Sequence, residues 1–388
     1  MLPTLEAGRQ TSVSAIITAP VVTFWSFPEA WRPFLMRIRR SFPIFLAVVL
    51  VGAAVAVMVA LRKHAPPEAA RLLPGADGFL YINLQSIRRA NMGAELPPIS
   101  HEPEYEEFIQ ATGFQFERDL DEAAFAIHNM VPPEGAKIGP PIRFSEVLVG
   151  KIQGERLRDY LKKISKSIED YDSINIYNIA LEGRVLRVAV IGVDTVAASN
   201  HDDPEVLRGV IDRSRKLASP FGGPALLRKY YKFVPFSDRY VPYAGLAWTI
   251  FKVEPASGSG PLPTGGLSLL FTKPAVMVAS VRALNGVRVR TEAFAASEQD
   301  AKQAAEKTNT FLNVLHSAES VSGEHGSDPD VKSFFDSLTV EQSGDRVLVT
   351  ATAPISFIRK ALTSPPGGLS SSVPAVKPDT KVEKPPSK

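Results

Sequence analysis

The longest regular pattern along the chain is an apolar one. From Phe42 to Leu61 (FPIFLAVVLVGAAVAVMVAL) twenty consecutive residues carry no charge. At about 1.5 Å of rise per residue, a helix of that length spans roughly 30 Å, the hydrocarbon thickness of a bilayer. A helix buried in a soluble core would show a polar stripe, and this run has none. The pattern therefore predicts one transmembrane helix over residues 42–61, with Pro43 in the first turn, where a missing N–H is tolerated.

Beyond it the periods become those of a folded domain over residues 75–363. Gly78 to Leu84 alternates as a strand, and Pro103 to Thr112 reads as a short helix stopped by Gly113. One helical turn at Phe116 to Asp121 leads to a strand at Ala123 to Ile127, and Val131 to Pro141 is a proline-rich loop. Phe144 to Ile152 is a strand. Glu155 to Tyr171 reads as an amphipathic helix, with Leu157, Leu161, Ile164 and Ile168 on one face. Strands follow at Ile174 to Ala180 and Arg184 to Ile191, then a helix from Asp203-Pro204, as cap and first turn, to about Leu217.

The second half has the same order. After strands at Ala244 to Lys252 and Leu267 to Phe271, Ala275 to Leu284 turns at Asn285-Gly286 into Val287 to Ala295. Ser297 and Asp300 open a helix that runs to about His316. A hairpin spans Ser337 to Ala351, and Pro354 begins a last short helix. Both halves read strand, helix, strand, strand, helix, the pattern an internal duplication leaves, with lobes at 75–218 and 240–363. The fold class expected is α+β, an antiparallel sheet with helices on one face and two β-α-β-β-α units. In the second unit Val287, Val289, Phe311 and Leu315 are expected on the buried side. Residues 62–74 read as a linker, whose stretch His64 to Pro74 reaches at most about 35 Å when extended. The tail, residues 364–388, has no apolar period and is expected to be disordered.

Charge adds a direction. Arg37, Arg39 and Arg40 stand directly before the apolar run, which predicts an N-in signal anchor with the main domain outside the cytoplasm, in the inner (cytoplasmic) membrane. Residues 1–41 then form a cytoplasmic tail. Met36 just ahead of the arginines is a second candidate start, in which case residues 1–35 reflect a misassigned start codon. Whole-chain charge is close to balanced, with 44 basic and 41 acidic residues, so nothing points to a nucleic-acid partner. Cysteine is absent, which removes disulfides, thiolate metal sites and cysteine nucleophiles.

Three stretches carry a resemblance. LLPGADGFLYINLQSIR, ATGFQFERDLDEAAFAI and VLVGKIQGERLRDYLKK, placed after one transmembrane helix, resemble a family of bacterial membrane-anchored extracytoplasmic domains of unknown function. The likeness covers about the middle two-thirds of the chain. It implies the same layout and brings no catalytic residues.

The motifs of catalysis are weak. His101-Glu102 has Tyr105 where a zinc helix needs a second histidine. His201-Asp202-Asp203 offers three donors in one loop, although Asp203 also reads as a helix cap ahead of Pro204. Gly258-Ser259-Gly260 lacks the spacing of a nucleophile elbow. Glu102, Glu104, Glu106 and Glu107, and Lys162, Lys163 and Lys166, read as solvated faces. No cofactor, metal or catalytic residue is expected. The strongest functional candidate is the basic-aromatic stretch 228–243, with Arg228, Lys229, Tyr230, Tyr231, Lys232, Arg239 and Tyr240 as membrane-surface residues, rings at the headgroup level and cations towards anionic lipid. Its alternative is a connector whose rings pack inward. The function expected is a membrane-anchored extracytoplasmic binding or scaffold protein, held to the bilayer by residues 42–61 and serving an envelope protein or ligand not named by the sequence. The alternative is an envelope enzyme whose site is scattered along the chain.

Overall fold

A computed structural model of the chain describes residues 50–53, 65–90, 101–128, 142–181, 183–215, 223–235, 245–254, 270–284, 286–322, 329–356 and 358. The chain divides into two units, Met1–Leu61 and Arg62–Lys388. In the first, Leu50 to Ala53 are helical and exposed, with Leu50 61% and Val51 63% accessible. The remainder of the predicted span, residues 1–41 and the tail 364–388 lie outside the described residues. Among the described residues no helix is long and apolar enough to cross a membrane.

The second unit is built on a sheet of twelve described strands, every neighbouring pair antiparallel. The strands are β1 (Gly78–Asn83), β2 (Leu120–His128), β3 (Arg143–Gly150), β4 (Ser167–Tyr171), β5 (Ile174–Leu181), β6 (Arg184–Val190), β7 (Thr195–Ser199), β8 (Gly245–Val253), β9 (Ala275–Leu284), β10 (Gly286–Phe294), β11 (Thr339–Ser343) and β12 (Arg346–Ala353). Their order is β11-β12-β10-β9-β8-β1-β2-β3-β7-β6-β5-β4. The helices are α1 (Glu68–Leu72), α2 (Leu84–Arg89), α3 (Pro103–Thr112), α4 (Phe116–Asp119), α5 (Gly154–Ile164), α6 (Glu205–Arg215), α7 (Ala225–Tyr230), α8 (Glu298–Ser322) and α9 (Pro329–Asp336). A single 3-10 turn, Tyr231–Phe233, follows α7.

The two halves share a route through this sheet. Strands β1 and β8 pair at the centre, and each opens a three-stranded meander, β1-β2-β3 and β8-β9-β10. Helix follows the third strand of each, α5 in one half and α8 in the other. The chain then returns so that its last strand, β7 or β12, pairs with that third strand. The return uses four strands in the first half and two in the second.

Helices cover both faces of the sheet, where the sequence pattern suggested one. Strand β8 explains why: it reads LAWTIFKV, apolar on both sides of the pleat, as a doubly covered strand does. Trp248 and Ile250 face a core formed with Leu72, Leu73, Leu207, Ile211 and Leu227, so α1, α6 and α7 lie on that face. Phe251 and Val253 face the opposite side, against Ala301, Ala304 and Ala305 of α8. Leu157 and Leu161 of α5 pack on this second face too, over Val188, Val196 and Ala198.

Three expectations are corrected. The predicted helix Glu155 to Tyr171 stops at Ile164, and Ser167–Tyr171 is the edge strand β4. Ile164 and Ile168 are therefore exposed, at 39% and 42%, while Leu157 and Leu161 are buried. The predicted linker contains α1, and Ala69, Ala70, Leu72 and Leu73 are core residues. Phe311 is 58% exposed, and α8 presents alanines to the sheet instead. Local signals fare better. Gly113 stops α3 in the left-handed region at φ 72°, Ser297 Oγ accepts from Asp300 N at 3.2 Å, and Asp203 Oδ1 caps α6 by accepting from Glu205 N at 2.9 Å.

Candidate functional site

The basic-aromatic stretch folds as α7 and the 3-10 turn, and its two chemistries part company. The rings turn inward. Tyr231 meets Trp248 edge-on with centroids 5.3 Å apart, and burial pushes its phenol well above the usual range, with the Glu122 carboxylate adding to the effect. Tyr230 meets Phe294 at 5.1 Å, and Phe233 meets the same ring at 4.5 Å. The cations stay outside. Arg228, Lys229 and Lys232 are exposed. The Lys229 ammonium sits 5.1 Å from the Tyr230 ring and that of Lys232 5.0 Å from Phe233. Of the predicted membrane-surface residues, Tyr230 and Tyr231 are half-buried, with their rings packed against the core. Arg239 and Tyr240 lie outside the described residues.

Packing α7 and its turn on the sheet leaves a groove of about 470 Å³. It runs along the ends of four neighbouring strands and brings in residues far away in sequence. Lys252 comes from β8, Phe294 from the end of β10 and Arg346 from the start of β12, and Phe294 and Arg346 are cross-strand partners. The Arg346 guanidinium lies 5.1 Å from the Phe233 ring and 5.7 Å from Phe294. These three residues were not legible as site residues, because each reads as ordinary strand sequence and only the sheet order assembles them.

Comparison with known proteins adds little. No family model and no curated protein matches the chain. Among solved structures, crystal form III of TP0453 aligns with 76% of this chain and 99% of its own length, at 11% identity and a TM-score of 0.39. Crystal form I of TP0453 covers 78% and 100%, at 12% identity and a TM-score of 0.39. Likeness at that level carries no argument about function.

A larger groove, about 640 Å³, lies beside the turn between β4 and β5. Its charges are largely offset: Arg215 pairs with Asp172 at 3.3 Å, and Glu155 stands with Arg158 on the rim.

The other sequence candidates are engaged locally. Asp202 accepts from Arg143 at 2.8 Å, Asp203 caps α6, and His201 Nδ1 accepts from Asp203 N at 3.1 Å. Glu104, Glu106 and Glu107 are exposed on α3. His128 Nε2 lies 3.0 Å from Ser145 Oγ, which lies 2.9 Å from Ser199 Oγ. That pairing looks like a nucleophile and base, yet Ser145 is 0% and Ser199 1% accessible, so no substrate reaches it.

Two groups in this region make folding sensitive to pH. Burial pushes the Glu146 carboxyl up to about 7, and it pushes the His128 imidazole down to about 4, with repulsion from His201 second. The signs oppose. Glu146 holds its proton in the folded chain after the unfolded chain has lost it, so its contribution falls as pH rises from about 4.5 to 7. His128 stays neutral in the folded chain while the unfolded chain takes a proton, so its contribution falls as pH drops from about 6.5 to 4. Glu146→Gln keeps the neutral form at every pH. It is expected to stabilise the fold at pH 8 by up to about 3 kcal/mol and to have little effect at pH 4.5. Denaturant titrations at the two pH values check this, and an equal effect at both would contradict it.

Proposed function

We propose that the chain is a single-pass membrane protein that holds an α+β binding domain outside the cytoplasm, at the inner membrane, with residues 42–61 as the anchor. It acts by binding or scaffolding. The observation that carries this reading is the uncharged run Phe42 to Leu61 with Arg37, Arg39 and Arg40 directly before it. The helical conformation and outward apolar side chains of Leu50 and Val51 are consistent with that anchor. The bacterial membrane-anchored family that the sequence resembles has the same layout. The shared route of the two halves through the sheet favours an internal duplication as the origin of the domain. The groove at α7 is the binding surface, and its ligand or protein partner belongs to the envelope.

The test is fractionation. The full chain is expected to stay with membranes through an alkaline carbonate wash, and a chain lacking residues 42–61 is expected in the soluble fraction. A full chain released by the wash would overturn the anchor.

A further inference from the structure

We infer that the groove beside α7 binds a phosphate-type anion, carried either by a lipid headgroup or by a free phosphate ester. This rests on the binding half of the function proposed above and does not depend on the anchor.

Four cations line the groove, Lys229, Lys232, Lys252 and Arg346, against two carboxylates, Glu254 and Asp345. Their sum is +2, or +1 once Asp77, the partner of Lys252, is counted, which complements the roughly one to two negative charges of a phosphate ester. One cation is partly committed, since Lys252 pairs with Asp77 at 2.6 Å. Arg346 meets Asp345 through its Nε at a loose 3.8 Å. Lys229 and Lys232 have no carboxylate partner among the described residues, and both are exposed.

Their ammonium groups are nonetheless held near the groove, because each lies over a ring that the core fixes in place. An ammonium over an aromatic face leaves the N–H groups turned away from the ring available as donors. The arrangement thus positions two lysines with no carboxylate partner among the described residues, and one guanidinium only loosely paired, around a shared opening. Arginine offers a planar fork for two phosphate oxygens, and the lysines offer point charges that follow the third. The floor is apolar, from Phe294 and Val276, so the carbon body attached to a phosphate has somewhere to lie. The volume of about 470 Å³ falls within the range of about 300–1,000 Å³ typical of small-molecule sites.

The experiment uses the full chain in phosphatidylcholine nanodiscs at low salt, with two arms. In the first, inorganic phosphate and glycerol 3-phosphate are titrated by calorimetry. In the second, the loaded nanodiscs are sedimented with phosphatidylglycerol or phosphatidylcholine vesicles. Binding of the free phosphates assigns a soluble ester. Sedimentation with phosphatidylglycerol alone, without free-phosphate binding, assigns the lipid headgroup. In either case the double variant Lys229→Gln/Lys232→Gln, and separately Arg346→Gln, are expected to weaken binding roughly tenfold or more, since each removes charge-assisted hydrogen bonds to the phosphate oxygens. Both lysines are exposed, so the double variant keeps the fold, which an unchanged melt verifies. No binding in either arm, or binding that the double variant leaves unchanged, overturns the inference. Neither failure touches the carbonate-wash result, so loss of the site and loss of the anchor are separable.

Discussion

A chain that begins at Gly75 is expected to be less stable than one that begins at Arg62 by about 4–6 kcal/mol. The thirteen residues between the two starts look like a tether, with three prolines and only two large apolar side chains. They contain α1, and Leu72 and Leu73 are 5% and 1% accessible, with Ala69 and Ala70 at 1% and 0%. Fully burying a leucine is worth about 1.5–3 kcal/mol, and the cavity left behind adds to the loss. The same cut takes away the Leu72 carbonyl that accepts from Arg213 Nε at 2.7 Å, leaving a half-buried guanidinium short of an acceptor. Typical domains are stable by about 5–15 kcal/mol, so the loss is a large share of the total. Urea titrations of residues 62–388 and 75–388 measure the difference. Equal midpoints would mean that α1 does not belong to the core.

Leu161→Asp is expected to cost about 4 kcal/mol or more, whereas Ile168→Asp, only seven positions on, should cost less than about 1 kcal/mol. Leu161 is 5% accessible and packs with Val188, Val190, Val196 and Ala198, where no donor awaits a carboxylate. Ile168 is 42% accessible on the edge strand β4, beside Glu169 and Asp170. Its aspartate would sit in solvent. Thermal melts of the two variants rank the positions. A comparable loss for both would restore one continuous helix over Glu155 to Tyr171 and remove β4 from the sheet.

The pair also explains what could be read from sequence. Leu157, Leu161, Ile164 and Ile168 satisfy the helical period, yet only the first two are buried. Nothing in the period marks Ile164 as the end, because the hairpin between β4 and β5 turns on Asp172 and Ser173, both at positive φ (50° and 61°). Asn-Gly is the usual signal for that turn. Where it occurs, at Asn285-Gly286, the sequence located the β9–β10 hairpin correctly. Caps were legible for a similar reason. Ser297, Asp203 and Gly113 act within four residues, so the neighbouring sequence contains the whole interaction. Sheet order is different in kind. Strand β1 lies between β2 and β8, and Phe294 meets Arg346 across the β10–β12 pair. Such long-range pairings assemble the groove, and local pattern contains no trace of them. The same holds for the rings of the basic-aromatic stretch: the spacing of Tyr230, Tyr231 and Phe233 does not reveal that they pack against Trp248 and Phe294.

Membrane topology is the most direct test of the account. A reporter that is active only outside the cytoplasm, fused after Leu362 of the full chain, is expected to give strong activity, with a cytoplasm-only reporter at the same site silent. The reverse result, a silent extracytoplasmic reporter and an active cytoplasmic one, would contradict the outward orientation and place the groove and its ligand on the other side of the membrane.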